Sequence, residues 1–190
     1  VVDDEEATTR LLDAAESLFY DQGIQAVGLD AIRTRSGVSL KRLYALYSAK
    51  ENLVEAYLRR RDRSWLGRLS SFVSANAARA EDTIPAVFDW LHTWFSEPDF
   101  RGCAFINSFG ELGATSPSIV AAVREHKANV RAYLLGLTRE LDLPDELADQ
   151  LLTLVDGATV VAAITGDPAV ARSSRDAAVT LLQAHQQRTG

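Results

Sequence analysis

The stretch Leu29-Asp30-Ala31-Ile32-Arg33-Thr34-Arg35-Ser36-Gly37-Val38-Ser39-Leu40-Lys41-Arg42-Leu43-Tyr44-Ala45-Leu46 decides the fold. It reads as a helix over 29–36, a tight turn at Gly37-Val38 and a second helix over 39–46. Ser39 can accept a hydrogen bond from the unpaired amides that open the second helix. Two short helices so joined have helix-turn-helix dimensions, with the second helix placed to enter a DNA major groove. The inward side is expected to be Ile32, Val38 and Leu43, with Leu29 or Leu46 closing the edge. The outward side then offers Leu40, Lys41, Arg42 and Tyr44. Lys and Arg reach phosphates or the O6/N7 edge of guanine. Tyr44 and Tyr47 present hydroxyls suited to phosphate, and Lys50 begins the next helix, whose free amides favour an anion.

The placement of charge supports this more than its sum. The 190 residues carry 20 Lys/Arg against 26 Asp/Glu, a net charge of −6 that alone argues against nucleic acid. Residues 1–21 hold one Arg against seven acids, residues 22–63 nine Lys/Arg against four acids, and residues 64–190 ten against fifteen. A basic segment inside an acidic protein is a local footprint for phosphate. The plainer alternative is a solvated helix face, and Arg59-Arg60-Arg61 is expected to be such a stretch.

Outward from this segment everything reads as helix. The apolar spacing and the Gly, Pro and Ser punctuation predict nine helices: 5–22, 29–36, 39–46, one reaching residue 76, one opening at Thr83-Ile84-Pro85 and ending before Pro98, then 101–114, 117–141, 144–165 and 168–187. Ser48-Ala49-Lys50-Glu51 has capping-box spacing for the fourth. The composition, 47% hydrophobic and 24% charged, is that of a globular chain. No run of about 18 apolar residues is apparent, so no membrane span is expected. The acidic Val1-Val2-Asp3-Asp4-Glu5-Glu6 has no signal-peptide pattern, so a cytoplasmic location is expected.

Catalysis finds no support. The chain has no G-x-S-x-G, G-x-G-x-x-G, Walker or H-E-x-x-H motif. His92, His126 and His185 fall on three separate helices, and the single cysteine, Cys103, reads as a small buried hydrophobe. No metal or cofactor is expected. The alternative class is a helical carrier or enzyme for small hydrophobic molecules, but it has no need of Lys41, Arg42, Tyr44 and Lys50 on one edge.

The run from Gly37 to Leu53, with its Gly37-Val38-Ser39 turn, Leu43-Tyr44 pair, following Tyr47 and Lys50-Glu51-Asn52-Leu53 start, resembles the DNA-binding signature of the TetR family of bacterial transcriptional regulators. Ala14-Ala15, Leu18-Phe19 and Gly23 are similar to that family's first helix. Gly28 stands where the family usually has Thr or Ser, Arg33 replaces a small residue and adds charge near the DNA backbone, and Lys41-Arg42 stand where Gly and a small hydroxyl residue are common. Long side-chain readout is therefore expected, with Arg33, Ser39, Leu40, Lys41, Arg42, Tyr44, Tyr47 and Lys50 as the candidate DNA contacts. The resemblance implies an all-α, two-domain regulator: a three-helix DNA-binding domain, residues 1–48, and a ligand-sensing and dimerisation domain, residues 49–190. It further implies a repressor that releases operator DNA when a small molecule binds.

Two expectations concern the larger part. Helices 144–165 and 168–187 carry Leu147, Leu151, Leu154, Val155, Ala158, Val161 and Ala162, and Ala177, Ala178, Leu181, Leu182 and Ala184, more apolar surface than one layer needs. A homodimer through a four-helix interface follows. Residues 65–137 mix aromatics with polar groups, as an effector pocket does. Its candidate lining is Trp65, Trp90, Trp94, Cys103, Phe105, Asn107, Phe109, Glu111 and Tyr133, with Glu111 favouring a neutral or cationic ligand.

Overall fold

A computed structural model describes residues 3–189; Val1, Val2 and Gly190 lie outside the described residues. Among the described residues there are nine α-helices and no strand: α1 (Asp4–Gln22), α2 (Leu29–Ser36), α3 (Leu40–Leu46), α4 (Lys50–Asn76), α5 (Thr83–Phe95), α6 (Ala104–Leu112), α7 (Pro117–Arg139), α8 (Glu146–Thr165) and α9 (Val170–Thr189). A 3-10 turn, Ala80–Asp82, leads into α5 and has no counterpart in the sequence reading.

Local chemistry sets the helix ends. Asp3 accepts from the Glu6 amide at 2.8 Å, and the acidic first turn of α1 faces the positive end of the helix dipole. Gly37 ends α2 in the left-handed conformation, φ 68°, donating to the Arg33 carbonyl at 3.0 Å. The Ser39 hydroxyl accepts from the Arg42 amide at 3.3 Å and caps α3 as expected. Two starts differ from expectation. The capping box at Ser48 does not form: Asn52 Oδ1 instead accepts from the Ala49 amide (3.1 Å) and the Ser48 hydroxyl (3.0 Å). Glu51 is drawn away to Ser116 and Ser118 of the α7 start. Helix α6 begins at Ala104 rather than 101 because Gly102 is held at φ 82°, where an added Cβ would stand 3.0 Å from the Ala163 methyl.

The helices form two compact units. One holds residues up to 63 and 104–126: α1, α2, α3, α6 and the N-terminal halves of α4 and α7. Its buried side chains include Leu11, Ala15 and Phe19 of α1, Ile32, Val38 and Leu43 of the helix-turn-helix, and Leu53, Tyr57 and Leu58 of α4. The other holds residues 64–103 and those from 127 onward, with α5, α8 and α9 packed on one another. Its core is built from Leu69, Val73, Ile84, Val87, Leu91, Val130, Leu134, Leu151, Val155, Ala178 and Leu182.

Helix α8, though interrupted by Asp149 and Asp156, is by length and composition, at mean hydropathy 1.5, apolar enough to cross a membrane. One face of it is buried, through Leu147, Leu151, Val155, Ala158 and Ala162, and Asp149 and Asp156 pair with Arg131 and Lys127. The sequence pattern places those same apolar residues, with Ala178 and Leu182 of α9, at a shared interface, and in the structure they lie in the chain's own core. Periodicity finds apolar positions but does not say which neighbour covers them. What α8 leaves uncovered is Val160, Val161 and Ile164, the last 78% exposed.

Candidate nucleic-acid interface

The recognition frame is assembled from the turn outward. Ile32, Val38 and Leu43 are buried as predicted, and burying three such side chains is worth roughly 1.5–3 kcal/mol each. The Ser36 hydroxyl accepts from the Val38 amide at 3.2 Å and donates to the Arg33 carbonyl at 3.3 Å, tightening the turn from inside. Leu40 and Tyr44, one helical turn apart on α3, are exposed together with Lys41.

Four of the five remaining predicted contacts, Arg33, Ser39, Arg42 and Lys50, have partners within the protein. Arg42 donates from Nη2 to Asp4 Oδ1 at 2.7 Å, so the first turn of α1 holds the guanidinium of the recognition helix. Arg33 donates from Nε to Asp30 at 3.2 Å. Ser39 spends its oxygen on the α3 cap. Tyr47 is half-buried, and burial pushes its phenol up, which keeps the hydroxyl neutral. Lys50 donates from Nζ to the Ile24 carbonyl at 2.5 Å and lies 5.8 Å over the Phe19 ring. Burial pulls the Lys50 ammonium down, opposed by the nearby Glu111 carboxylate.

The cluster Arg59-Arg60-Arg61 is not a solvated stretch. Arg59 pairs with Glu55 and Glu125, Arg60 with Asp13 and Glu16, and Arg61 with Glu16 while stacking 3.9 Å over Tyr20. The acids of α1 therefore neutralise part of the basic segment, while Lys41 of α3 stays exposed.

The candidate effector residues fall into two groups. Trp65, Trp90 and Trp94 meet in the core of the second unit, with ring centroids 4.8, 5.7 and 5.5 Å apart. Cys103, buried, and Tyr133, half-buried, belong to that unit as well. The Lys127 ammonium lies 4.0 Å from Cys103 Sγ and donates to Asp156 at 2.5 Å. Phe105, Asn107, Phe109 and Glu111 are on α6 in the first unit. Phe105 stacks on His126 at 3.6 Å, and Phe109 is 53% exposed. Asn107 and Glu111 share a shallow crevice with Tyr20 and Tyr57. Glu111 accepts from the Ile24 amide at 3.0 Å and the Gln25 amide at 2.8 Å.

Sequence reasoning missed the long-range polar ties of this unit. They include the Glu111 bonds, the His126 Nδ1–Asp62 pair at 2.6 Å and the Ser118–Glu51 bond at 2.7 Å. Partners more than 60 residues apart leave no local signal.

Comparison with known proteins agrees with this geometry. Residues 11–57 match the sequence model of the bacterial regulatory proteins of the tetR family. The chain is 32% identical over 123 residues to the HTH-type transcriptional activator FasR of Mycolicibacterium smegmatis, a match covering 63% of this chain and 53% of that protein, so it spans about half the length of that relative. Among solved structures, the TetR-family transcriptional regulator SCO4454 of Streptomyces coelicolor superposes with a TM-score of 0.84 at 28% identity, covering 95% of this chain and 96% of that one. A putative TetR transcriptional regulator (sav143) of Streptomyces avermitilis gives 0.82 at 28% identity, covering 95% and 98%.

Proposed function

The chain belongs to the TetR family of bacterial regulatory proteins, and from that premise we propose that it is a transcriptional regulator binding a pseudo-palindromic operator as a homodimer. The observation that carries the reading is α3, which presents Leu40, Lys41 and Tyr44 outward from a frame buried at Ile32, Val38 and Leu43. Lys41 and Arg42 read base edges, where one good bidentate contact discriminates by about 1–3 kcal/mol. Arg42 exchanges Asp4 for DNA as it does so. Arg33, Ser39, Tyr44, Tyr47 and Lys50 serve the phosphates, which position the protein without specifying sequence. Residues 1–48 act as the DNA-binding part and residues 49–190 as the sensing and dimerising part.

Dimerisation uses α8 and α9, supported by the uncovered Val160, Val161 and Ile164. Two recognition helices about 34–36 Å apart then meet successive major grooves. The effector is a small, largely apolar molecule received near the tryptophan cluster, and it shifts the population away from the DNA-binding conformation. Action is by binding, without a chemical step, on chromosomal DNA in the cytoplasm. We read the sign as repression; FasR is an activator, so a reporter gene decides it. The test is selection of genomic fragments by the purified protein at fixed salt. A recurrent pseudo-palindrome supports the reading, and recovery without sequence preference refutes it.

A further inference from the structure

We propose that Glu111, at the C-terminal end of α6, is a positioning residue for DNA binding: it grips the turn between α1 and α2 and thereby fixes the helix-turn-helix frame. The proposal rests on the DNA-binding reading above and deepens it. After α1 ends, the backbone from Gly23 to Gln25 leaves the helix, and the Ile24 and Gln25 amides need acceptors that no helical carbonyl supplies. Glu111 supplies both, Oε1 to Ile24 at 3.0 Å and Oε2 to Gln25 at 2.8 Å. The Gln25 side chain returns the contact, donating from Nε2 to the Glu111 carbonyl at 2.5 Å. From the start of α4, Lys50 donates to the Ile24 carbonyl at 2.5 Å. An anion thus holds the amides of the turn and a cation holds its carbonyl, and hydrogen bonds with one charged partner are the stronger kind.

Gly23 fits the same geometry. Its φ is +87°, and a Cβ there would stand 3.3 Å from both carboxylate oxygens of Glu111. The turn is also anchored by Ile24 and Val27, both buried, and α2 starts at Leu29, only four residues beyond Gln25. Since α2 packs on α3, the setting of this turn sets the recognition helix. With both oxygens engaged by backbone, Glu111 acts on the protein's own frame rather than on a ligand.

The test uses the full chain with Glu111→Ala and the isosteric Glu111→Gln, which keeps one acceptor oxygen and loses the charge. Three quantities are read: amide hydrogen exchange at Ile24 and Gln25, affinity for the selected operator, and affinity for scrambled DNA of equal length at the same salt. Exchange should quicken from wild type to Gln to Ala. Operator affinity should fall about tenfold in Glu111→Ala and less in Glu111→Gln, as expected for losing hydrogen bonds to a charged group. Scrambled-DNA affinity should hold, because the phosphate contacts remain. Unchanged exchange overturns the proposal, as does faster exchange with operator affinity intact, or equal loss on both DNAs. If Glu111→Ala does not fold, Glu111→Gln decides by the same three readings. If wild type itself fails to prefer an operator, the DNA-binding reading fails and the positioning role falls with it, while the exchange rates still report whether Glu111 holds the turn.

Discussion

Gly23 and Gly28 stand five residues apart on either side of the same connection, yet side chains should fare oppositely at the two positions. Gly23 has a left-handed φ of +87° and faces the Glu111 carboxylate, so Gly23→Ala adds backbone strain and a close contact. A loss of roughly 1–3 kcal/mol is expected. Gly28 precedes α2 in an extended conformation, φ −84° and ψ 160°, makes no side-chain cap, and has open space where a Cβ would point. Gly28→Ser supplies the missing cap and should stabilise by a few tenths of a kcal/mol. Urea unfolding of the two variants checks both signs. Arg42 illustrates what residue type alone does not convey: its outward, basic character is readable in the sequence, whereas its bond to Asp4 joins residues 38 apart.

At the level of elements, the start of α4 is closed by Asn52 reaching back to Ala49 and Ser48. Asn52→Ala should therefore cost about 1 kcal/mol by denaturant unfolding, while Glu51→Ala should leave this turn intact. Helix existence and most ends were legible because Gly, Pro and Ser mark them locally, as at Gly37 and Ser39. The start of α6 was not, because Gly102 answers to Ala163, a neighbour in space only. The helix-turn-helix core was legible for the same local reason, its three buried residues lying within twelve positions, Ile32 to Leu43. The fates of Arg59, Arg60, Arg61 and Glu111 were hidden, since their partners are set by which helices pack together. The aromatic residues of 65–137 read as one set, but the chain divides them between two units, crossing after residue 103 and back after residue 126.

For the whole molecule, the apolar face of α8 is the feature a lone chain leaves unexplained. Ile164, 78% exposed beside Val160 and Val161, is the position to charge, because Leu181 already packs partly against the chain's own core. Sedimentation should find wild type dimeric and Ile164→Asp monomeric, with operator affinity reduced in step; a dimer that survives the substitution places the interface elsewhere. The most direct measurement of DNA recognition through α3 is competition between operator and scrambled DNA at one salt concentration, for wild type and for the Lys41→Ala, Arg42→Ala double variant. Wild type should prefer its operator by about a thousandfold or more. The double variant should keep binding both DNAs and lose most of that preference, whereas a double variant with undiminished preference would contradict sequence readout by this helix.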